Sequence, residues 1–165
     1  KKVMLDSDTN EPLVKISPVA LNEGETGFVQ RIREYYEVHK DGCLLGKEIY
    51  LLRNESRKGI GFFEASGFYP DFILWVNEGQ KQRVIFIDPK GIRNLQGLEH
   101  PKIQLFKTLK EEVEPTLNDP DISLDSYIIS NTPYREIHLW GERPKFLENH
   151  VLFDYDEEYV KTLFE

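Results

Sequence analysis

The chain has 165 residues, a formal net charge of −8 and a single cysteine. This length suits one domain with its own hydrophobic core. No apolar run reaches the roughly 18 residues of a membrane-spanning helix, and no signal-peptide pattern is present. We therefore expect no membrane partner and a cytoplasmic location. The lone Cys43 excludes an internal disulfide and a multi-cysteine zinc site.

The acidic balance argues against a nucleic-acid partner, because nucleic acids bind cationic surfaces. The charge is unevenly distributed, however. Residues 111–125 hold six acids and no bases, and residues 142–165 hold seven acids and three bases. These two segments carry −10, which leaves +2 for the remainder. The charge thus permits a nucleic-acid partner, and a generic acidic domain remains an alternative.

The chain begins with a segment, residues 1–21, that has two prolines and no sustained periodicity, which predicts a lead-in or linker. Residues 22–165 form the predicted domain. Its core spans about 22–132, and a C-terminal extension covers 133–165. Because the first residue is not methionine, we expect the chain to be either part of a longer protein or trimmed.

Periodicity predicts both helices and strands in the domain. Apolar residues at helical spacing predict helices at 23–38, about 100–114 and 156–164. Runs of β-branched and aromatic residues predict strands at 47–53, 60–63, 69–75, 84–91, 125–130 and 136–140. The helix at 100–114 is a crossover, so the strands that it connects should be parallel. The predicted fold class is α/β, a mixed β-sheet with flanking helices.

Two of the predicted strands carry one carboxylate each, Asp71 and Asp88. The polar stretch 77–82 between them contains a glycine and predicts a hairpin loop. Antiparallel pairing centred on this loop puts the two acids opposite each other, with Cβ atoms roughly 4.5–5.5 Å apart. Like charges so placed require compensation, either by a divalent cation or by a raised pKa of one acid. Lys90 projects from the same face as Asp88, because side chains alternate along a strand.

Glu25 is a third acidic candidate. It falls in line with the apolar stripe of the first predicted helix, where a surface glutamate is less expected. It also suits a capping box, with Asn22 as the N-cap and Glu25 at the third helical position. The sequence leaves both roles open.

The motifs on these elements resemble a known superfamily. This arrangement resembles the PD-(D/E)XK nucleases. It has a glutamate on the first helix, Pro70-Asp71 on one strand and Asp88-Pro89-Lys90 on the paired strand, and a helix and a strand follow. The resemblance implies a restriction-endonuclease-like core with the order αβββαβ. Asp88 stands where many members of the superfamily have glutamate.

A narrower resemblance rests on the flanking residues. The chain looks like the C-terminal endonuclease domain of type III restriction-type and related DEAD/DEAH helicase proteins in three stretches, 51–54, 67–75 and 88–91. The resemblance covers about residues 22–132. It implies DNA as a partner, together with a helicase or ATPase region of the same parent chain. It also implies a DNA-recognition or methyltransferase subunit in a restriction-modification system.

The resemblance further implies an activity, that of a Mg²⁺-dependent deoxyribonuclease in which Mn²⁺ can replace Mg²⁺. Bound Mg²⁺ neutralises the scissile phosphate and produces a nucleophile near neutral pH. The implied catalytic residues are Glu25, Asp71, Asp88 and Lys90. The implied metal ligands are Asp71, Asp88, Glu25 and the backbone carbonyl of Pro89. Lys90 would orient the attacking water or stabilise the charge that develops on phosphorus.

Weaker candidates and alternatives complete the interpretation. Ser66, Tyr69, Lys102 and Gln104 are candidates for nucleic-acid contacts, although turn, core or solvated-helix roles explain each of them as well. The main alternative function is a non-catalytic module of the same fold that binds nucleic acid or a partner protein. A carboxylate-pair hydrolase of sugars is weaker, because Lys90 would keep both acids ionised.

Overall fold

The computed structural model describes residues 20–55, 59–62 and 67–165, which form an α/β fold around one mixed sheet. The strands, in their order across the sheet, are β1 (Glu48–Arg53), β2 (Phe72–Glu78), β3 (Lys81–Lys90), β4 (Ile122–Ser130) and β5 (Val151–Phe153). β1, β2 and β3 pair in antiparallel fashion, whereas β3–β4 and β4–β5 are parallel pairs. The predicted mixed sheet with flanking helices is therefore present.

Helices cover both faces of the sheet. They are α1 (Glu23–His39), α2 (Leu105–Thr108), α3 (Tyr134–Ile137), α4 (Arg143–Glu148) and α5 (Tyr159–Phe164). α1 and α5 share one buried apolar cluster with alternate residues of β2 and β3, among them Leu74 and Ile85. α2, α3 and α4 share a second cluster with the residues of the opposite face, among them Ile73 and Phe86. Within the described ranges, no helix has the length and apolar character needed to cross a bilayer.

The β2–β3 hairpin has the predicted register. Phe72 pairs with Ile87 and Glu78 with Lys81, so the pairing is centred between Gly79 and Gln80. The connection is shorter than the predicted loop, because the strands extend to a tight turn. Gly79 has a φ of 62°, a left-handed conformation that glycine adopts without steric strain.

The crossover from β3 to β4 is parallel, as predicted, but its helix is broken. α2 is followed by a π-helical turn at Leu109–Val113 and a 3₁₀ turn at Glu114–Leu117. Pro115 lies in this last turn and has no N–H to donate to a carbonyl four residues earlier. The continuous helix predicted over about 100–114 is therefore replaced by successive short helical segments.

Predictions for the C-terminal part need correction. The strand predicted at 136–140 is wrong, because α3 and a 3₁₀ turn at His138–Trp140 occupy this segment. Tyr134, Ile137 and Trp140 all contact the core, and their spacing of three is helical. β5 was not predicted, since a strand of three residues carries too little pattern. The terminal helix begins later than predicted.

Two further predictions involve residues that the structure does not describe. Most of the lead-in at 1–21 lies outside the described residues. The strand predicted at 60–63 lies partly outside them, and its described part forms an isolated β-bridge between Phe62 and Phe68.

The ends of the strands meet at one end of the sheet, here called the carboxyl end. β3, β4 and β5 all finish there, since Lys90 pairs with Ser130 and Ser130 with Phe153. β2 runs in the opposite direction, so its first residue, Phe72, lies at the same end. In open α/β sheets, ligands bind at the carboxyl ends of the strands.

Candidate functional site

Asp71 and Asp88, here called the acid pair, lie at the carboxyl end of the sheet. Asp71 immediately precedes β2, and the hairpin register continues from Phe72–Ile87 to place it opposite Asp88. The buried side chain of Asn54 fixes the approach to Asp71 by donating to the carbonyl of Pro70 at 2.8 Å. The N–H of Asn54 donates to the carbonyl of Asp71 at 2.8 Å. The predicted cross-strand arrangement of the two acids is confirmed.

The electrostatics of the acid pair follow from its burial. Asp88 is only 4% exposed, and Asp71 is half-buried. The pKa of Asp71 is raised to about 7, mainly by burial and then by its hydrogen bond with Asp88 and the charges of Asp88 and Glu25, while the charge of Lys90 opposes the shift. Near neutral pH the pair therefore shares a proton between two carboxylates. This is the raised pKa that the sequence predicted as one means of compensation.

Lys90 is the counter-ion of the acid pair. Its Nζ forms an ion pair with Oδ2 of Asp88, a buried atom that accepts no hydrogen bond from the described residues. The same Nζ lies 4.5 Å from the centre of the Phe68 ring. Phe68 is itself buried, so its π-face holds the ammonium beside the carboxylate. Lys90 and Asp88 project from one face of β3, as predicted.

Glu25 closes the N-terminus of α1. The Asn22 side chain accepts from the N–H of Glu25 at 2.9 Å, and Glu25 Oε2 accepts from the N–H of Asn22 at 3.2 Å. Asn22 also donates to Oε1 at 2.8 Å, and Arg53 reaches Oε2 at 3.4 Å. The capping box is thus confirmed, and both carboxylate oxygens are engaged. The charge of Glu25 nevertheless raises the pKa of Asp71, so Glu25 lies close enough to influence the acid pair. Its catalytic and metal-binding roles remain predictions.

The candidate metal site is a two-carboxylate site. Among the described residues, no group of three or more His, Cys, Asp or Glu side chains is arranged to hold a metal ion. Mg²⁺ needs fewer protein ligands than this, because it commonly uses one or two carboxylates and keeps several waters. The acid pair fits such a cation, because Oδ2 of Asp88 is buried and accepts no hydrogen bond from the described residues. The predicted ligand role of the Pro89 carbonyl is not tested by these contacts.

The predicted nucleic-acid contacts have different outcomes. Lys102 lies close to Lys90, with Nζ 5.2 Å from the centre of the same Phe68 ring that Lys90 contacts. Burial lowers the pKa of His100, as do the charges of Lys102 and Lys90, so three basic groups lie together. The contact roles themselves remain predictions.

Gln104, Tyr69 and Ser66 are less informative. Gln104 donates to the carbonyl of Leu98 at 2.7 Å and to Asn149 at 2.6 Å, which gives it a structural role. The ring of Tyr69 lies over Gly61, where it would obstruct any added Cβ. Ser66 lies outside the described residues.

Sequence reasoning missed a cleft between α1 and the sheet. A cavity of about 410 Å³ separates the N-terminal half of α1 from the residues that end β3, β4 and β5, and we call it the α1 cleft. Lys90 lines this cleft, together with Arg31, Asn131, Asp154 and Tyr155. Asn131 and Asp154 directly follow their strands, which is the signal that could have found them. Asp154 was missed because β5 was not predicted.

Comparisons with known proteins give one sequence similarity. The chain is 28% identical over 130 residues to the catalytic subunit of dihydroorotate dehydrogenase B (NAD⁺) from Petrotoga mobilis. The match covers 78% of the chain, which spans only 35% of that protein's length. No family model and no solved structure matches the chain.

This similarity corrects the predicted enzyme class. The matched protein is named as a dehydrogenase, an oxidoreductase, and not as a nuclease. The assignment of the chain as a Mg²⁺-dependent deoxyribonuclease is therefore contradicted. The predicted acid pair is a separate matter, because its geometry rests on the hairpin and not on the name of a relative.

Proposed function

We propose that the chain is a nucleic-acid-binding module of a larger protein, in which the acid pair holds a divalent cation that contacts a phosphate group. The observation that carries the proposal is the buried pair of Asp71 and Asp88 with Lys90 as its counter-ion. A divalent cation would displace the shared proton and be held by both carboxylates. A cation so held offers its remaining coordination positions to water and phosphate oxygens.

The sequence motifs favour a known fold for this module. Pro70-Asp71 and Asp88-Pro89-Lys90 lie on paired strands that are preceded by α1 and followed by a helical crossover to β4. This order supports a restriction-endonuclease-like core of the PD-(D/E)XK type. Mg²⁺ or Mn²⁺ is the proposed cation and DNA the proposed partner. A helicase or ATPase region of the parent chain would then supply further affinity.

Metal and DNA binding test the proposal directly. Mn²⁺ binding is measured by electron paramagnetic resonance and Mg²⁺ binding by calorimetry, for wild type, Asp88→Asn and Asp41→Asn. Asp41 is an exposed acid and serves as the matched control. We expect wild type and Asp41→Asn to bind the cation and Asp88→Asn to lose it. Mg²⁺ should strengthen DNA binding by wild type and Asp41→Asn but not by Asp88→Asn.

Three results would overturn the proposal. Cation binding that is absent in wild type, or unchanged in Asp88→Asn, would remove the metal site. Incubation with supercoiled plasmid provides the second test. Metal-dependent nicking that is lost in Asp88→Asn would show that the module cuts DNA, and would overturn a function limited to binding.

The sequence similarity favours a second candidate, NAD⁺-dependent oxidation of dihydroorotate. It rests on the 28% identity over 130 residues to the dehydrogenase subunit. The test is NADH formation from dihydroorotate and NAD⁺, followed by absorbance. A rate above that of a protein-free control would support this candidate, and the absence of such a rate would remove it for this chain.

A further inference from the structure

We propose that Lys102 binds a second phosphate of the nucleic acid, next along the strand to the phosphate held at the acid pair. The inference rests on the proposed function and deepens it, because it makes the ligand a strand with at least two consecutive phosphates. The observation behind it is a group of three neighbouring basic side chains, Lys90, His100 and Lys102, here called the basic cluster.

The ring of Phe68 positions the two lysines of the basic cluster. The Nζ atoms of Lys90 and Lys102 lie 4.5 Å and 5.2 Å from the centre of this ring, so the two ammonium groups are neighbours. Phe68 is buried in the same core cluster as Phe86, whose side chain projects from the same face of β3 as Asp88. Lys102 is therefore on the side of the sheet that carries the acid pair.

Lys102 lacks the counter-ion that Lys90 has. Nζ of Lys90 forms an ion pair with Asp88, whereas no carboxylate of the described residues forms an ion pair with Lys102. An aromatic ring attracts an ammonium group but does not neutralise it, and two ammonium groups on one ring repel each other. An anion bound at Lys102 would remove this repulsion.

His100 adds a hydrogen-bond donor to the basic cluster without adding a charge. Its Nδ1 accepts from the N–H of Lys102 at 3.2 Å, which leaves the ring proton on Nε2. Burial and the charges of Lys102 and Lys90 lower the pKa of His100, so the ring is neutral near pH 7. His100 and Lys102 are both partly exposed. The basic cluster thus offers a phosphate one ammonium group and one neutral N–H donor beyond those at the acid pair.

The charge balance of the site favours two phosphates over one. A divalent cation displaces the proton of the acid pair, and its two charges cancel those of the two carboxylates. Glu25 forms an ion pair with Arg53. Lys90 and Lys102 then remain as two positive charges, whereas each phosphodiester supplies one negative charge. A single phosphate at the cation leaves Lys102 without a counter-ion, and the next phosphate along the strand supplies it.

Lys102→Met tests the inference, because methionine keeps an unbranched apolar side chain over Phe68 but has no charge. Lys107→Met is the matched control, since Lys107 is an exposed lysine whose ammonium also lies over a ring, 5.7 Å from the centre of Phe106. Affinity for a fluorescein-labelled DNA duplex is measured by anisotropy at increasing KCl and constant Mg²⁺. Lys102→Met should bind about fivefold more weakly than the control at low salt, and the slope of log Kd against log [KCl] should decrease by about 0.9. Lys102→Arg should bind as wild type does.

A second measurement needs no variant. Phosphate bound at Lys102 brings negative charge next to His100, so saturating DNA should raise the pKa of the His100 ring in wild type, as followed by NMR with Mg²⁺ present. An unchanged pKa would overturn the inference. Equal affinity and equal salt dependence in folded Lys102→Met and Lys107→Met, with folding verified by thermal melting, would also overturn it.

Mn²⁺ binding separates failure of this inference from failure of the proposed function. Lys102→Met should bind Mn²⁺ at least as tightly as wild type, because the substitution removes a cation that repels the metal. If wild type binds Mn²⁺ and DNA but Lys102→Met behaves as the control does, only the second phosphate is refuted. Absence of Mn²⁺ binding or of DNA binding in wild type would refute the proposed function, and the inference with it.

Discussion

Replacing Asp71 with asparagine tests whether the acid pair destabilises the fold in the absence of a cation. Burial first, then the hydrogen bond and charge of Asp88, raise the pKa of Asp71 from 3.8 to about 7. The folded protein therefore holds a proton that the unfolded chain releases near pH 4. This contribution to stability is complete below about pH 4, and it is lost as the pH rises through about 7.

The size of the effect follows from the pKa shift. Between about pH 5 and about pH 8 the wild-type protein would lose about 2.7 kcal/mol, at about 1.36 kcal/mol per pH unit up to the pKa. Asp71 is only half-buried, and solvent screening reduces this to about 1.4 kcal/mol. Asp71→Asn has no such titration. Its stability relative to wild type should thus increase by about 1.4 kcal/mol from about pH 5 to about pH 8, or about 3–6 °C in Tm.

Thermal melts at both pH values, in the presence of a chelator, measure this difference. Comparing variant with wild type at each pH cancels the titration of groups that both proteins share, such as His100. Asp41→Asn is the control for loss of an exposed acid, and its stability relative to wild type should be independent of pH. The reasoning fails if the Asp71→Asn difference is equally pH-independent, or if the variant is the less stable protein at about pH 8.

Three further predictions follow from the buried contacts. Lys90→Gln removes the counter-ion of Asp88, which is a largely buried charge, and should destabilise the fold by about 2–3 kcal/mol in urea denaturation; an unchanged midpoint would contradict this. Asn54→Ala removes three hydrogen bonds, two to Ile60 and one to Pro70, and should lower the free energy of unfolding by about 3 kcal/mol. Asn118→Ala, at an exposed turn, should lower it far less in the same assay. Gly27→Ala should raise the Tm, because alanine favours a helix by up to about 1 kcal/mol and meets no atom there; a lower Tm would show that the bare backbone is required by the fold.

The acid pair could be predicted from sequence because the interaction is local. Asp71 and Asp88 lie on the two strands of one hairpin, and strand alternation with a central glycine determines which residues face each other. Lys90 follows from the same alternation. Glu25 was harder, because its two proposed roles differ only in where its carboxylate points. The contacts with Asn22 and Arg53 decide that direction, and they depend on packing that periodicity does not report.

The α1 cleft could not be predicted, because it depends on pairing between distant segments. Asn131 and Asp154 come together only since β4 and β5 are parallel neighbours, and β5 has three residues. The strand prediction at 136–140 was wrong for a related reason. Its apolar residues suit a strand as well as a helix, and contact of Ile137 and Trp140 with the core selects the helix.

The stability of the acid pair also bears on its function. Cross-strand contacts in a hairpin ordinarily stabilise it, whereas two carboxylates placed opposite each other destabilise it. Neither the packing of β2 on β3 nor the hydrogen bonds of Asn54 require an acid at Asp71, so the fold alone gives no reason for the second charge. Suppose that Asp71→Asn proves more stable than wild type above neutral pH and binds no Mn²⁺. Cation binding would then explain why the chain has an acid at position 71 although that acid weakens the fold. If the variant is more stable and Mn²⁺ binding is unchanged, Asp88 with Lys90 is the whole site, and Asp71 lies outside it.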